Sequence, residues 1–134
     1  MKEWYGSAAI CINDQHEVLM VKANDTEGWA VPSGGMENGE TPEECCIREV
    51  KEETGYSVEI INERFVKETE IEGIFVRTSY FLVRKIGESL GIQDPDNTII
   101  EVGWKSFDDV ASMIHAYPED QDVLLELLKT DASC

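Results

Sequence analysis

The sequence predicts an α/β fold in which a mixed β-sheet is covered by helices on both faces. Three observations lead there. Apolar runs rich in β-branched residues stand both before and after one strongly capped helix. A second amphipathic helical pattern closes the chain, and 134 residues are enough to bury the core of one domain.

In chain order, Tyr5 to Ile12 and Glu17 to Lys22 are apolar-rich runs joined by the polar cluster Asn13-Asp14-Gln15-His16. They are expected as a β-hairpin, with His16 a solvated turn residue. Asn24 to Gly28 reads as a polar loop, and Trp29-Ala30-Val31 as a short strand. Thr41 is an N-cap residue and Glu44, three positions later, completes a capping box. Pro42 falls at the first helical position and Gly55 just past the last, which bounds a helix from Pro42 to Thr54. Val58 to Val66 and Ile74 to Ile86 are expected as two long paired strands turning at Glu72-Gly73. Gly87 to Asn97, with its glycines, Pro95 and acids, is a loop, and Thr98 to Phe107 returns to strand. Ser106 and Asp109 offer a second capping box, opening a short helix marked by Val110, Met113 and Ile114. Pro118 starts a last helix whose buried face is Val123, Leu124, Leu127 and Leu128, and Thr130 to Cys134 is expected to fray.

Composition narrows the function classes. A net charge of -17 opposes attachment to long nucleic acid or to an anionic membrane. The first residues lack the apolar core of a signal peptide, and no apolar run is long enough to span a bilayer. Cys11, Cys45, Cys46 and Cys134 show no metal or disulfide-framework spacing, so they read as small hydrophobes in a reducing cytoplasm.

The helix from Pro42 to Thr54 carries the candidate chemistry. Residues three and four apart share a helix face, so Glu49, Glu52 and Glu53 line one stripe, beside a core-facing stripe of Cys46, Ile47 and Val50. Glu44 and Arg48 are close enough to offset part of the repulsion, but one arginine cannot neutralise three glutamates. A divalent cation can, and a donor set of oxygens favours Mg²⁺ or Mn²⁺ over Zn²⁺. The bland alternative is a solvated acidic face.

The loop in front of the helix weighs against that alternative. Gly34, five residues, Glu40, seven residues, then Arg48-Glu49-Val50-Lys51-Glu52-Glu53-Thr54-Gly55 resembles the signature G-x5-E-x7-R-E-U-x-E-E-x-G-U of the Nudix (MutT-like) hydrolases, where U is a bulky aliphatic residue. Tyr56 departs from the last aliphatic position, and Ser33 stands where the family often has another glycine.

The resemblance implies a Nudix-type α/β/α sandwich over residues 1–134. It also implies Mg²⁺- or Mn²⁺-dependent cleavage of the pyrophosphate linkage in a nucleoside diphosphate bearing a further group. Glu49, Glu52 and Glu53 would then be metal ligands, with the Gly34 carbonyl beside them. Arg48 would orient the glutamates, and Glu37 and Glu40 would organise the loop. The general base would be Glu52 or, from outside the signature, Glu101. Substrate contacts are expected from Lys22, Trp29 and Arg77, with Trp4, Phe75 and Lys67 as further candidates. The markers of the ADP-ribose, diadenosine polyphosphate and coenzyme A subgroups are missing, which favours a nucleoside triphosphate, intact or damaged, giving monophosphate and pyrophosphate. The alternatives are a nucleotide sugar, a dinucleotide, a capped-RNA 5′ end, or a module that senses nucleotide without cleaving it. The expected partner is a small nucleotide, and the expected assembly a monomer or homodimer.

Overall fold

A computed structural model of the chain describes residues 2–132, with the backbone alone for 130–132. Its strands are β1 (Lys2–Cys11), β2 (Val18–Ala23), β3 (Trp29–Ala30), β4 (Ser33–Gly35), β5 (Ser57–Ile71), β6 (Ile74–Ile86) and β7 (Ile99–Lys105). The helices are α1 (Pro42–Thr54), α2 (Phe107–Ser112) and α3 (Gln121–Ala132), with a 3-10 turn at Pro118–Asp120.

The strands form two sheets rather than one. A mixed sheet has the order β4-β1-β6-β5, and an antiparallel one the order β3-β2-β7. Within the first, β1 runs parallel to β6 from Lys2 opposite Ile74 to Cys11 opposite Val83. The hairpin expected from Tyr5 to Lys22 is therefore corrected, because β1 and β2 belong to different sheets. Only the turn end keeps hairpin character, through the Ile12–Val18 bridge and the bond from Asn13 N–H to the Glu17 carbonyl. The misreading has a physical cause: both runs are continuously apolar, the pattern of strands buried on two faces, and such strands choose partners by burial rather than by proximity in sequence.

Alternation along β1 and β2 builds two cores. Ala8, Ile10, Val18 and Met20 pack with Val110, Leu124 and Leu128 beneath α2 and α3. Ala9, Cys11 and Leu19 pack with Cys46 and Val50 beneath α1. The result is the expected α/β/α sandwich. Val123 and Leu127 pack against the first core only partly buried, and Val31, expected in a strand, lies just past β3 in that same core.

Local signals fix the helix ends. The Thr41–Glu44 capping box is formed in both directions, and Gly55, at φ 79°, sits in the left-handed region that ends α1. Two expectations for helix faces change. Ile47 is 38% exposed, its place in the core taken by Cys45. α2 ends at Ser112, which leaves Ile114 60% exposed. Pro118 opens the 3-10 turn, and α3 follows through Ala132, so the tail expected to fray from Thr130 stays helical to that point while Cys134 lies outside the described residues.

Candidate active site

α1 and the loop before it are tied together by Arg48. Its Nε and Nη2 grip the Glu40 carboxylate at 2.7 and 2.9 Å, a two-pronged bond that exploits the planar guanidinium. Nη2 also donates to the Gly35 carbonyl at 2.9 Å, and Nη1 reaches Glu49 at 3.0 Å and Glu52 at 3.3 Å. Glu40 in turn accepts the Glu37 N–H, so loop and helix share one network. Glu44, expected near Arg48, instead accepts the Thr41 N–H with its carboxylate.

Charge is unevenly distributed in this network. Hydrogen bonds from Arg48 hold Glu40 down at about 2. The same contacts, Glu40 first, raise Arg48 above the usual arginine range. Glu49 behaves oppositely: burial pushes it up to about 7 against the pull of Arg48. Burial, then the charge of Glu49, pushes Glu53 up to about 8, although the Ser33 N–H donates to it at 3.2 Å. Two desolvated carboxylates therefore lie next to each other with too little positive charge to satisfy them.

Gly34 makes that crowding possible. A Cβ built at this position would clash with the Glu49 carboxylate. The Gly34 carbonyl oxygen accepts the Cys45 thiol at 3.4 Å. Among the described residues, no three carboxylate, imidazole or thiolate side chains gather round one point. Arg48 holds Glu49 and Glu52, whereas Ser33 draws Glu53, so the shared stripe is present but its oxygens do not converge. By donor type the residues fit a hard divalent cation, since they offer carboxylate oxygens on a helix face where negative charge is undercompensated. Binding would require the carboxylates to turn from Arg48 and Ser33.

The remaining expected residues fall in other places. Lys22 stands in register between Trp29 of β3 and Glu101 of β7, forming one row on the second sheet. Glu101 is exposed, and the Lys105 ammonium lies 3.9 Å over the Trp29 ring. Arg77 sits on β6 and pairs with Glu68 at 3.7 Å. Phe75 meets Tyr5 edge to face. None of these residues touches the α1 carboxylates in any contact described above.

Two features were missed from sequence. Asp94 adds a further negative charge acting on Glu53. Its carboxylate is pinned by the N–H groups of Asp96, Thr98 and Ile99, while the neighbouring Gln93 N–H bonds the Glu52 carbonyl at 2.7 Å. The signal was there, since Asp-Pro-Asp is an Asx-turn sequence. The second feature is a cleft of about 340 Å³ that shares Ser33 with the carboxylate site and is lined by Trp4, Lys67, Tyr80, Tyr117 and Glu119. It joins four chain stretches distant in sequence, at Trp4, Ser33, Lys67 to Tyr80 and Tyr117 to Glu119, and no local pattern announces it.

Comparison with known proteins bears on the same fold and site. The NUDIX domain family profile matches residues 4–128. The 8-oxo-dGDP phosphatase NUDT18 of Mus musculus is 38% identical over 105 residues, covering 75% of this chain and 31% of that one. A Bacillus subtilis protein provisionally named 8-oxo-dGTP diphosphatase is 40% identical over 52 residues, 39% of this chain and 35% of that one. The chain thus spans about a third of the length of either relative. A solved NUDIX hydrolase from Nitrosomonas europaea superposes with a TM-score of 0.79 over 98% of this chain and 89% of that one, at 22% identity. Nudix enzymes generally use divalent metal cations. A family match that takes in both sheets, α1 and its glycine loop leaves one conclusion: the chain belongs to the Nudix family.

Proposed function

We propose that the chain is an Mg²⁺- or Mn²⁺-dependent pyrophosphohydrolase of nucleoside diphosphates carrying a further group. Its favoured substrate is a nucleoside triphosphate, intact or with a damaged base, cleaved to monophosphate and pyrophosphate. The observation that carries this reading is a pair of desolvated carboxylates: Glu49 is packed against Gly34, and Glu53 accepts the N–H of Ser33, which also lines a cleft. The names of the mouse and Bacillus relatives, both phosphohydrolases of oxidised guanine nucleotides, support the substrate class.

Glu49, Glu52 and Glu53 would hold the cation, with the Gly34 carbonyl a further donor. A divalent ion there would screen the phosphate oxygens and make water a stronger nucleophile. The chain's own residues supply the rest. Arg48 positions Glu49 and Glu52 and locks them to the loop through Glu40. Glu52, more accessible than Glu49 beside it on α1, is the favoured general base, and Glu101 the outside alternative. The cleft beside Ser33 is a further candidate for substrate binding beside Lys22, Trp29 and Arg77, because Ser33 also donates to Glu53. Three buried free thiols, Cys11, Cys45 and Cys46, suit a reducing cytoplasm.

The test is a nucleotide screen with Mg²⁺ or Mn²⁺ that follows phosphate, pyrophosphate and monophosphate separately. Pyrophosphate released from a triphosphate is the expected result. Monophosphates arising only from X-linked diphosphates would move the substrate to a nucleotide sugar or dinucleotide. Binding without any product would make the chain a sensor instead.

A further inference from the structure

α1 carries two of its candidate metal ligands, Glu52 and Glu53, in its last turn. Anions are unfavourable there, because the final carbonyls of a helix lack partners within it and the dipole turns its negative pole to that end. Lys51, the basic residue of the turn, gives its ammonium to the Ser57 hydroxyl at 3.1 Å. Partners for the carbonyls come instead from the connection between β6 and β7, residues 87–98. Its Ser89 hydroxyl donates to the Thr54 carbonyl at 2.6 Å, across 35 residues of sequence. The Leu90 N–H donates to the Gly55 carbonyl at 3.0 Å, and the Gln93 N–H to the Glu52 carbonyl at 2.7 Å.

The connection is shaped to reach the helix end. Ser89 Oγ also accepts the Gly91 N–H at 2.9 Å, a local turn closed by a hydroxyl. Glycine at position 55 lets that turn lie directly on α1, since a Cβ there would meet the Gly91 backbone and the Ser89 hydroxyl. Further along, the Asp94 carboxylate gathers the N–H groups of Asp96, Thr98 and Ile99. The Thr98 carbonyl then accepts the Asn24 N–H at 2.8 Å, just past β2. Residues 87–98 thus form a strap from the first sheet to the second, across the end of α1. Apolar burial does little to hold it, since Leu90 is 70% exposed and Ile92 45%. Its grip on α1 rests on the three hydrogen bonds.

We propose that the strap is a positioning device for the cation site, with Ser89 as its positioning residue. By pairing the Glu52, Thr54 and Gly55 carbonyls, it keeps the last turn of α1 wound and Glu52 and Glu53 on the face they share with Glu49. Released, a turn with unpaired carbonyls and two anions would fray. A divalent ion needs its carboxylates held in place, and groups that orient metal ligands from behind change affinity by about tenfold or more. Ser89 acts on the carboxylates through the Thr54 backbone. The inference rests on the cation reading above and deepens it.

Ser89→Ala and Ser89→Thr test it without requiring turnover, at a temperature where circular dichroism shows both to be folded. In metal-free protein, amide hydrogen exchange over residues 52–55 should quicken in Ser89→Ala and return to the wild-type rate in Ser89→Thr, which keeps the hydroxyl. Mn²⁺ followed by electron paramagnetic resonance should bind Ser89→Ala about threefold to tenfold more weakly than wild type, with Ser89→Thr close to wild type. Gln93→Pro lacks the N–H that bonds the Glu52 carbonyl, so it breaks the strap independently and should weaken Mn²⁺ in the same way. A strap that only stabilised the fold would lower the unfolding temperature of Ser89→Ala and leave Mn²⁺ affinity unchanged. That result, unaltered exchange in Ser89→Ala, or an equal loss in Ser89→Thr would overturn the proposal. Wild type that binds no Mn²⁺ would sink the cation reading and this proposal with it, whereas binding untouched by the Ser89 substitutions would sink this proposal alone.

Discussion

Glu53→Gln should make the metal-free protein more stable while removing its activity. The folded protein holds the Glu53 proton up to about pH 8, against 4.5 for an ordinary glutamate, chiefly because burial disfavours the charge. A raised carboxyl pKa contributes stability that is fully present below 4.5 and is lost as pH rises towards 8. At pH 7 ionisation of this one group then costs the folded state at most about 3 kcal/mol, and at pH 5 about 1 kcal/mol. Glutamine has no charge to bury, and its amide oxygen can still accept the Ser33 N–H. Thermal unfolding in EDTA should therefore give Glu53→Gln a midpoint higher by up to roughly 10 °C at pH 7, and a much smaller gain at pH 5. Added Mg²⁺ or Mn²⁺ should raise the wild-type midpoint but not the variant's, and turnover should fall by orders of magnitude. A variant no more stable than wild type at pH 7, or a gain independent of pH, would refute the claim that Glu53 is held desolvated for a cation. Wild-type turnover in the variant would remove its role in the site.

Other perturbations read the neighbouring parts. Gly34→Ala puts a methyl group where the Glu49 carboxylate lies, and should cut kcat at least about a hundredfold with a smaller loss of thermal stability; a normal kcat would show that the close approach is dispensable. Glu40 titrates near 2, so its pairing with Arg48 contributes stability above 4.5 that is lost as pH falls towards 2. Glu40→Gln should flatten that acid limb of the unfolding profile, and an unchanged limb would assign it to other groups. Gly55→Ala forces a side chain into a left-handed conformation against Gly91, and should cost about 1 kcal/mol or more by urea unfolding. Glu101→Gln should slow turnover less than Glu52→Gln does, and the reverse order would move the general base to β7.

How much could be read in advance depended on whether the deciding forces were local. α1 was legible to the residue because its ends are written by neighbours: Thr41 with Glu44, Pro42, and Gly55. The β5–β6 pair was legible for the same reason, with Glu72-Gly73 turning it. The pairing of β1 was not, because its parallel partner lies some seventy residues away and nothing in Tyr5 to Ile12 names it. In the site, spacing placed Glu49, Glu52 and Glu53 on one face but could not say how Arg48 and Ser33 would divide them. Ile47 had the periodicity of a core residue, yet the sheet met Cys45 instead, and periodicity fixes a helix stripe only to within about one residue. The cleft lined by Lys67, Tyr80 and Glu119 needs β5, β6 and the Pro118 turn at once, so only tertiary structure reveals it.

The central claim is that the α1 carboxylates hold the divalent ion on which hydrolysis depends. Electron paramagnetic resonance of Mn²⁺ titrated into wild type, Glu49→Gln, Glu52→Gln and Glu53→Gln tests it directly, since free and bound Mn²⁺ give distinct signals. Saturable binding by wild type, weakened about tenfold or more by each substitution, is the expected result. Unchanged Mn²⁺ affinity in all three variants would place the ion elsewhere and contradict the account.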